Sequence, residues 1–265
     1  MKKFKVTNYE IELNQTKFKP FQPIRVVMLS DLHNQSYGTH NGRLQAEIDN
    51  LKPDLVIAAG DLVNADRKGE EHIALALMKA LAERYLVYYA NGNHESELEQ
   101  GTQEYGSRYE RYAGALQKAG VQLLKNEYVD LQLKGLPLRI YGLEIPLRFY
   151  RRIVREKLNA VAIKELLGEA EASRFQLLIA HSPLHFEAYT QWGADLTLSG
   201  HFHGGFFRIP GLGGVISPQL QLFPRYAKGK FMKHGQLMVV GTGIGSKSMI
   251  PRLGNRPEVV VIDLY

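Results

Sequence analysis

The 265-residue chain predicts an α/β fold built on a parallel sheet, and two observations carry that prediction. Short apolar, valine-containing runs alternate with stretches of helical spacing. Each run also breaks into polar residues at its end, as in RVVMLSDLH (25–33), DLVIAAGDLVNAD (54–66) and YLVYYANGNHE (85–95). A continuous apolar run suits a strand buried on both faces, and strand–helix alternation gives a parallel sheet with right-handed crossovers. Ligands of such sheets collect at the carboxyl ends of the strands.

The elements follow in order. FKVTNYEIEL (4–13) alternates loosely and predicts an edge strand, and a turn at Pro20 and Pro23 leads into the strand that ends at Ser30, Asp31, Leu32 and His33. Asp31 and His33 are two apart, so on an extended backbone both side chains leave one face. Leu44, Ile48 and Leu51 predict a helix over 42–51, which Pro53 ends. The second strand ends at Gly60 and Asp61; Ile73, Leu77, Met78 and Leu81 mark a helix over 70–84; the third strand ends at Asn93, His94 and Glu95. A helix over 103–119 stops near Gly120, and VQLLKNEYVDLQL (121–133) and LRIYGLEI (138–145) predict two further strands. After a helix at about 158–171, FQLLIAHSP (175–183) ends in His181 and Ser182; residues 184–192 are short and helical; DLTLSGHFHGG (195–205) delivers His201 and His203. QLMVVGTG (236–243) and PEVVVIDLY (257–265) are two more strands, enough for a second sheet packed on the first.

Size and composition predict one domain spanning residues 1–265, since 45% apolar residues suffice for one large core. The net charge of +6 favours an anionic ligand or surface but forms no dominant tract. No cysteine is present, which excludes disulfides, thiolate metal sites and cysteine nucleophiles. The lysine-rich amino terminus lacks an apolar core of signal-peptide length, and no window approaches a membrane span. The expectation is a cytoplasmic protein, with peripheral contact to an anionic membrane as the furthest association.

Five strand ends thus supply Asp31, His33, Asp61, Asn93, His94, His181, His201 and His203, and five of the nine histidines sit there. His40, His72, His185 and His234 are assigned no role. Carboxylate and amide oxygens mixed with imidazoles suit Mn²⁺, Fe or Zn²⁺. The donors exceed what one ion needs, so two divalent ions sharing a carboxylate is the economical arrangement.

The ordered blocks D-x-H, G-D, G-N-H-E, H and G-H-x-H, at Asp31 and His33, Gly60 and Asp61, Gly92 to Glu95, His181, and Gly200 to His203, resemble the calcineurin-like metallophosphoesterases. The resemblance implies a four-layer αββα sandwich with two mixed sheets. It implies one metal held by Asp31, His33, Asp61 and His203, and another by Asp61, Asn93, His181 and His201, with Asp61 as the bridge. Two such ions, with Mn²⁺ the leading expectation, lower the pKa of a bridging water to give hydroxide near neutral pH. His94 is left to protonate or stabilise the leaving oxygen, making Asp61 and His94 the catalytic pair. Several family members carry an aspartate three residues after the bridge to orient this histidine. Here the position is Asn64, which favours the protonated ring less and predicts a weaker acid.

Two stretches are candidates for the rim. LRFYRRIVREK (147–157) is basic and amphipathic if helical, which fits either a solvated helix or an anionic membrane or headgroup contact. Residues 202–231 form a Gly- and Pro-rich loop with Phe202, Phe206, Phe207, Phe223, Tyr226 and Phe231, which either covers the core or admits an apolar, lipid-linked phosphate. The LLKNE block at 123–127 and PEVVVIDL near the end resemble the bacterial subgroup of membrane-associated phosphodiesterases and UDP-diacylglucosamine pyrophosphatases. The expected reaction is hydrolysis of a phosphodiester or pyrophosphate bond in a phosphate-containing small molecule or lipid. A nuclease, for which no nucleic-acid motif is present, a phosphomonoesterase and a non-catalytic binding module are the alternatives.

Overall fold

From the amino terminus the chain forms β1 (Lys5–Ile11), β2 (Ile24–Leu29), α1 (Gly42–Leu51), β3 (Leu55–Ala59), α2 (Glu71–Ala82), β4 (Leu86–Ala90) and α3 (Asn93–Gln100). It continues through α4 (Thr102–Tyr105), α5 (Arg108–Lys118), β5 (Gln122–Leu123), β6 (Glu127–Leu133), β7 (Leu136–Leu143), α6 (Ala160–Leu167), β8 (Phe175–Ala180), α7 (Phe186–Trp192) and β9 (Leu196–Ser199). A short ribbon of β10 (Arg208–Ile209) and β11 (Gly213–Gly214) precedes β12 (Gly229–Lys233), β13 (Gln236–Val240) and β14 (Glu258–Leu264). This is a computed structural model that describes residues 3–13, 18–151, 157–205, 208–209, 213–214, 223–245 and 255–265.

Two six-stranded mixed sheets result, in the orders β1-β14-β2-β3-β4-β5 and β12-β13-β9-β8-β7-β6. In the first, β2, β3, β4 and β5 run parallel and β14 is antiparallel to β2. In the second, β7, β8, β9 and β13 run parallel, with antiparallel strands at both edges. The strand period of two then decides the layers. Val26 and Met28 of β2 face Leu177, Ile179 and Leu198 of the other sheet, whereas Val27 and Leu29 pack under Leu44, Leu77 and Leu81 of α1 and α2. On the far side, Tyr141 and Leu178 pack against Ile163 of α6 and Tyr189 of α7. Helices therefore cover the outer face of each sheet, the four-layer arrangement. Each fully buried Val, Leu or Ile contributes about 1.5–3 kcal/mol, which favours apolar residues through these central strands.

Several elements differ from the sequence-based expectation. The run 121–133 is two strands, not one: β5 ends the first sheet and β6 edges the second, so the chain changes sheets at 124–126. The helix expected over 103–119 is broken at Gly106 (φ 59) into α4 and α5. The helix expected at about 158–171 is shorter, Ala160–Leu167, and its N-terminus is capped by Asn159, whose side chain accepts from the Ala162 N–H. The tail is divided between the sheets, β13 in the second and β14 between β1 and β2 in the first. Leu147–Tyr150 is a 3₁₀ turn and Arg151 is extended, while 152–156 lie outside the described residues. Most of the 202–231 loop side chains, from 206 to 222, also lie outside them. Among the described residues no helix is long and apolar enough to cross a membrane.

Candidate metal centre

The carboxyl ends of β2, β3, β4, β8 and β9 meet along one edge of the two sheets, and they bring together all eight residues singled out by sequence. Asp31, His33 and His203 have donor atoms within 4.8 Å of one another, as do Asp61, His181 and His201, and His33, Asp61 and His94. His33 Nε2 lies 3.2 Å from His203 Nε2, Asp31 Oδ1 lies 3.5 Å from His203 Nε2, and Asp61 Oδ2 lies 3.1 Å from His181 Nε2. Asn93 is buried beside them at the first turn of α3.

Convergence of Asp31 and His33 arises differently from the expected extended backbone. Asp31 (φ 51), His33 (φ 49), Asp61 (φ 54), His201 (φ 71) and His203 (φ 51) all occupy the left-handed region. Such conformations cost about 1–3 kcal/mol each and persist only where surrounding bonds impose them. Here Asp31 N–H donates to the Gly60 carbonyl (2.9 Å), His33 N–H to the Asp61 carbonyl (3.1 Å) and Gly245 N–H to the Asp31 carbonyl (2.8 Å). Gly60 (φ 80) and Gly92 are required for close approach. A Cβ on Gly60 would stand 2.7 Å from His181 Nδ1, and one on Gly92 would overlap Asp61 Oδ1.

Backbone donors and a buried carboxylate hold the acids. His201 N–H donates to Asp31 at 3.1 Å, and His94 N–H donates to Asp61 Oδ1 at 2.9 Å. Glu95, fully buried, accepts from Asp61 N–H (2.9 Å), Gly92 N–H (2.9 Å), Val63 N–H (3.2 Å) and the Tyr89 hydroxyl (2.6 Å). One side chain therefore ties the β3 loop to the start of α3. His181 Nδ1–H donates to the Ala59 carbonyl (2.7 Å), which leaves Nε2 as its donor atom toward the centre.

The electrostatics agree with a cation-holding role. Burial and the adjacent His203 hold His33 well below the ordinary histidine pKa, so it is neutral, the form that ligates. Burial alone would raise the Asp61 carboxyl, but the imidazoles around it, His181 first, hold it well below the usual range. Burial opposes charge on His181, yet Asp61 and Asp31 outweigh it and push that pKa up to about 10, a proton that metal binding would displace. Asn93 Oδ1 is buried without a hydrogen-bond partner, and the His33 and His203 Nε2 atoms converge to 3.2 Å beside Asp31. The residues present thus fit divalent cations.

His94 lies against His33, ring centroids 5.1 Å apart. Ala65 N–H donates to its Nδ1 (3.2 Å), which places the proton of the neutral ring on Nε2. Asn64 does not take the orienting position expected for it: its Oδ1 accepts the Asp66 N–H at 3.0 Å, and the hydrogen bond to His94 Nδ1 comes from the Ala65 N–H.

Three neighbours had not been assigned a role. Glu95 lay in the G-N-H-E block without one. Glu144, the polar residue that follows the apolar run of β7, accepts from Asn91 Nδ2 (2.9 Å) and Ser96 Oγ (2.8 Å); its place after a strand was the available signal. Tyr150 packs its ring 5.2 Å from His201 and 6.3 Å from His181, a contact that no local pattern foretells.

The fold and this donor set define a class, α/β proteins equipped to hold divalent cations. Residues 24–205 match the model of the calcineurin-like phosphoesterases, and the chain belongs to that family, whose members hydrolyse phosphate esters, generally with two divalent metals. It is 25% identical over 250 residues to YkuE, an uncharacterized metallophosphoesterase of Bacillus subtilis, covering 92% of this chain and 80% of that protein. It is 26% identical over 246 residues to the phosphodiesterase YaeI of Escherichia coli, covering 91% and 82%. Among solved structures, the sulfate thiohydrolase SoxB of Thermus thermophilus shares the fold with a TM-score of 0.53 at 13% identity, over 94% of this chain and 57% of that one.

Proposed function

We propose that the protein hydrolyses phosphodiester or pyrophosphate bonds, with Asp31, His33, Asp61 and His203 holding one divalent cation and Asp61, Asn93, His181 and His201 a second. The observation that carries this reading is the approach of oxygen and imidazole donors from both sheets around Asp61, whose carboxylate is 3.1 Å from His181 and within 4.8 Å of donor atoms of His33, His94 and His201. When bound, two such cations supply acidity to a water and positive charge against the phosphoryl oxygens. His94, with its ring proton on Nε2, donates to the leaving oxygen. The imidazoles of His33, which burial holds neutral, His201 and His203 provide nitrogen ligands, and Asp61 supplies the charge common to both sites.

A lipid-linked or nucleotide-linked substrate, of the UDP-diacylglucosamine kind, is the finer proposal. In its support stand the E. coli relative's name as a phosphodiesterase, the basic stretch beginning at Arg148 and Arg151, and the aromatic wall that Tyr150 forms beside His201 and His181. Manganese is the proposed native metal, and anionic membrane contact through the same stretch is proposed with the lipid.

Hydrolysis of bis(p-nitrophenyl) phosphate and p-nitrophenyl phosphate with added Mn²⁺ tests the reaction, with faster turnover of the diester expected. Activity absent with every divalent metal, or retained in Asp61→Asn, refutes it. For the lipid proposal, an Arg148→Ala/Arg151→Ala variant is expected to bind anionic vesicles more weakly than the parent, and equal binding removes that part.

A further inference from the structure

We propose that Glu97 is a positioning residue that decides which end of the Asn93 amide faces the metal centre. The proposal rests on the role given to Asn93 above. Glu97 lies one turn along α3 from both residues, so its carboxylate reaches back over the helix start. Asn93 Nδ2 donates to Glu97 Oε1 at 3.4 Å, and Glu97 Oε2 is 3.3 Å from His94 Nδ1.

The two ends of an asparagine amide have nearly the same shape, so packing cannot select between them; hydrogen-bond partners do. A carboxylate only accepts. Facing Glu97, the amide must present its nitrogen, and Oδ1 is left turned away, buried and with no hydrogen-bond partner. In the reversed orientation Oδ1 would oppose the carboxylate and the NH₂ group would face the centre, where it cannot ligate. The Glu97 side chain is 37% exposed, so its replacement removes no core packing and leaves the helix with a good former in Glu97→Ala.

The test is calorimetric titration of Mn²⁺ into wild type, Glu97→Ala, Glu97→Gln and Glu99→Ala, without substrate, paired with kcat and KM on phenyl and p-nitrophenyl esters. Glu99 is the control, since it lies on the same helix and pairs with Lys125. In Glu97→Ala one Mn²⁺ is expected to bind about tenfold more weakly and the other unchanged, with kcat down about tenfold at constant KM. The loss is equal for phenyl and p-nitrophenyl esters, because the change acts on the Asn93 ligand and not on His94; Glu97→Gln falls between, and Glu99→Ala matches wild type. Both Mn²⁺ affinities of Glu97→Ala within about twofold of wild type would overturn the proposal, whatever the change in melting temperature. A wild type that binds two Mn²⁺ but cleaves no ester refutes the proposed function, while the affinity comparison still decides Glu97. A wild type that binds fewer than two refutes both.

Discussion

The two sheets contribute unequally to the centre. The first brings Asp31, Asp61 and Asn93, all the oxygen donors, together with His33 and His94; the second brings only imidazoles, His181, His201 and His203. Support differs in the same sense. Around the first half, His201 N–H, His94 N–H and the four donors gathered by Glu95 restrain buried carboxylates that would otherwise repel one another. The second half is anchored to the first, through His181 Nδ1–H to the Ala59 carbonyl. One half is thus built to retain negative charge out of water, and the other to close over it with imidazole donors.

Substitutions can break or sharpen that contrast. The largest effect is expected for His94→Ala, which lowers kcat on poor leaving groups by about 10²–10⁴-fold and much less on good ones, measured as a leaving-group series. Gly92→Ala attacks the charged half without touching a donor. The added methyl displaces the Asp61 carboxylate, and kcat falls about 10²-fold while far-ultraviolet circular dichroism is unchanged. In Glu95→Gln an NH₂ group opposes donors that the carboxylate had accepted, and urea unfolding should show a loss of about 3 kcal/mol.

The smallest effect lies behind the imidazole half. Burial against the Phe149 and Tyr189 rings lowers the His185 pKa from 6.5 to about 4. The unfolded chain takes up this proton below pH 6.5, whereas the folded chain does so only near pH 4. Stability is therefore complete above that window and declines as pH falls through it, by about 2 kcal/mol between pH 7 and pH 5. Urea midpoints at the two pH values check this, and His185→Phe should remove that share of the decline.

Much of this was legible in the amino-acid order. Buried parallel strands leave a plain signature, apolar runs that stop at polar residues, so RVVML, LVIAA and FQLLIA marked their strands and the site edge together. Shorter elements were harder to see. β5 and β6 read as one run because local pattern does not say which sheet a strand joins, and α3 was hidden because its first turn is made of site residues, Asn93, His94 and Glu95. Asn64 was expected to serve His94 because sequence supplies spacing but not rotamer, and its amide turned to a nearer backbone donor, the Asp66 N–H.

By itself, the sequence determined the strand ends and the residue types set on them, since hydrophobic period and donor chemistry are properties of short segments. Tertiary structure alone decided that Asp31 and His33 converge through left-handed turns, that Glu97 faces Asn93 and His94, and that Tyr150 lies against His201. Those outcomes depend on backbone torsions and on packing between segments far apart in the chain, where many arrangements are locally equal and only the assembled core selects one.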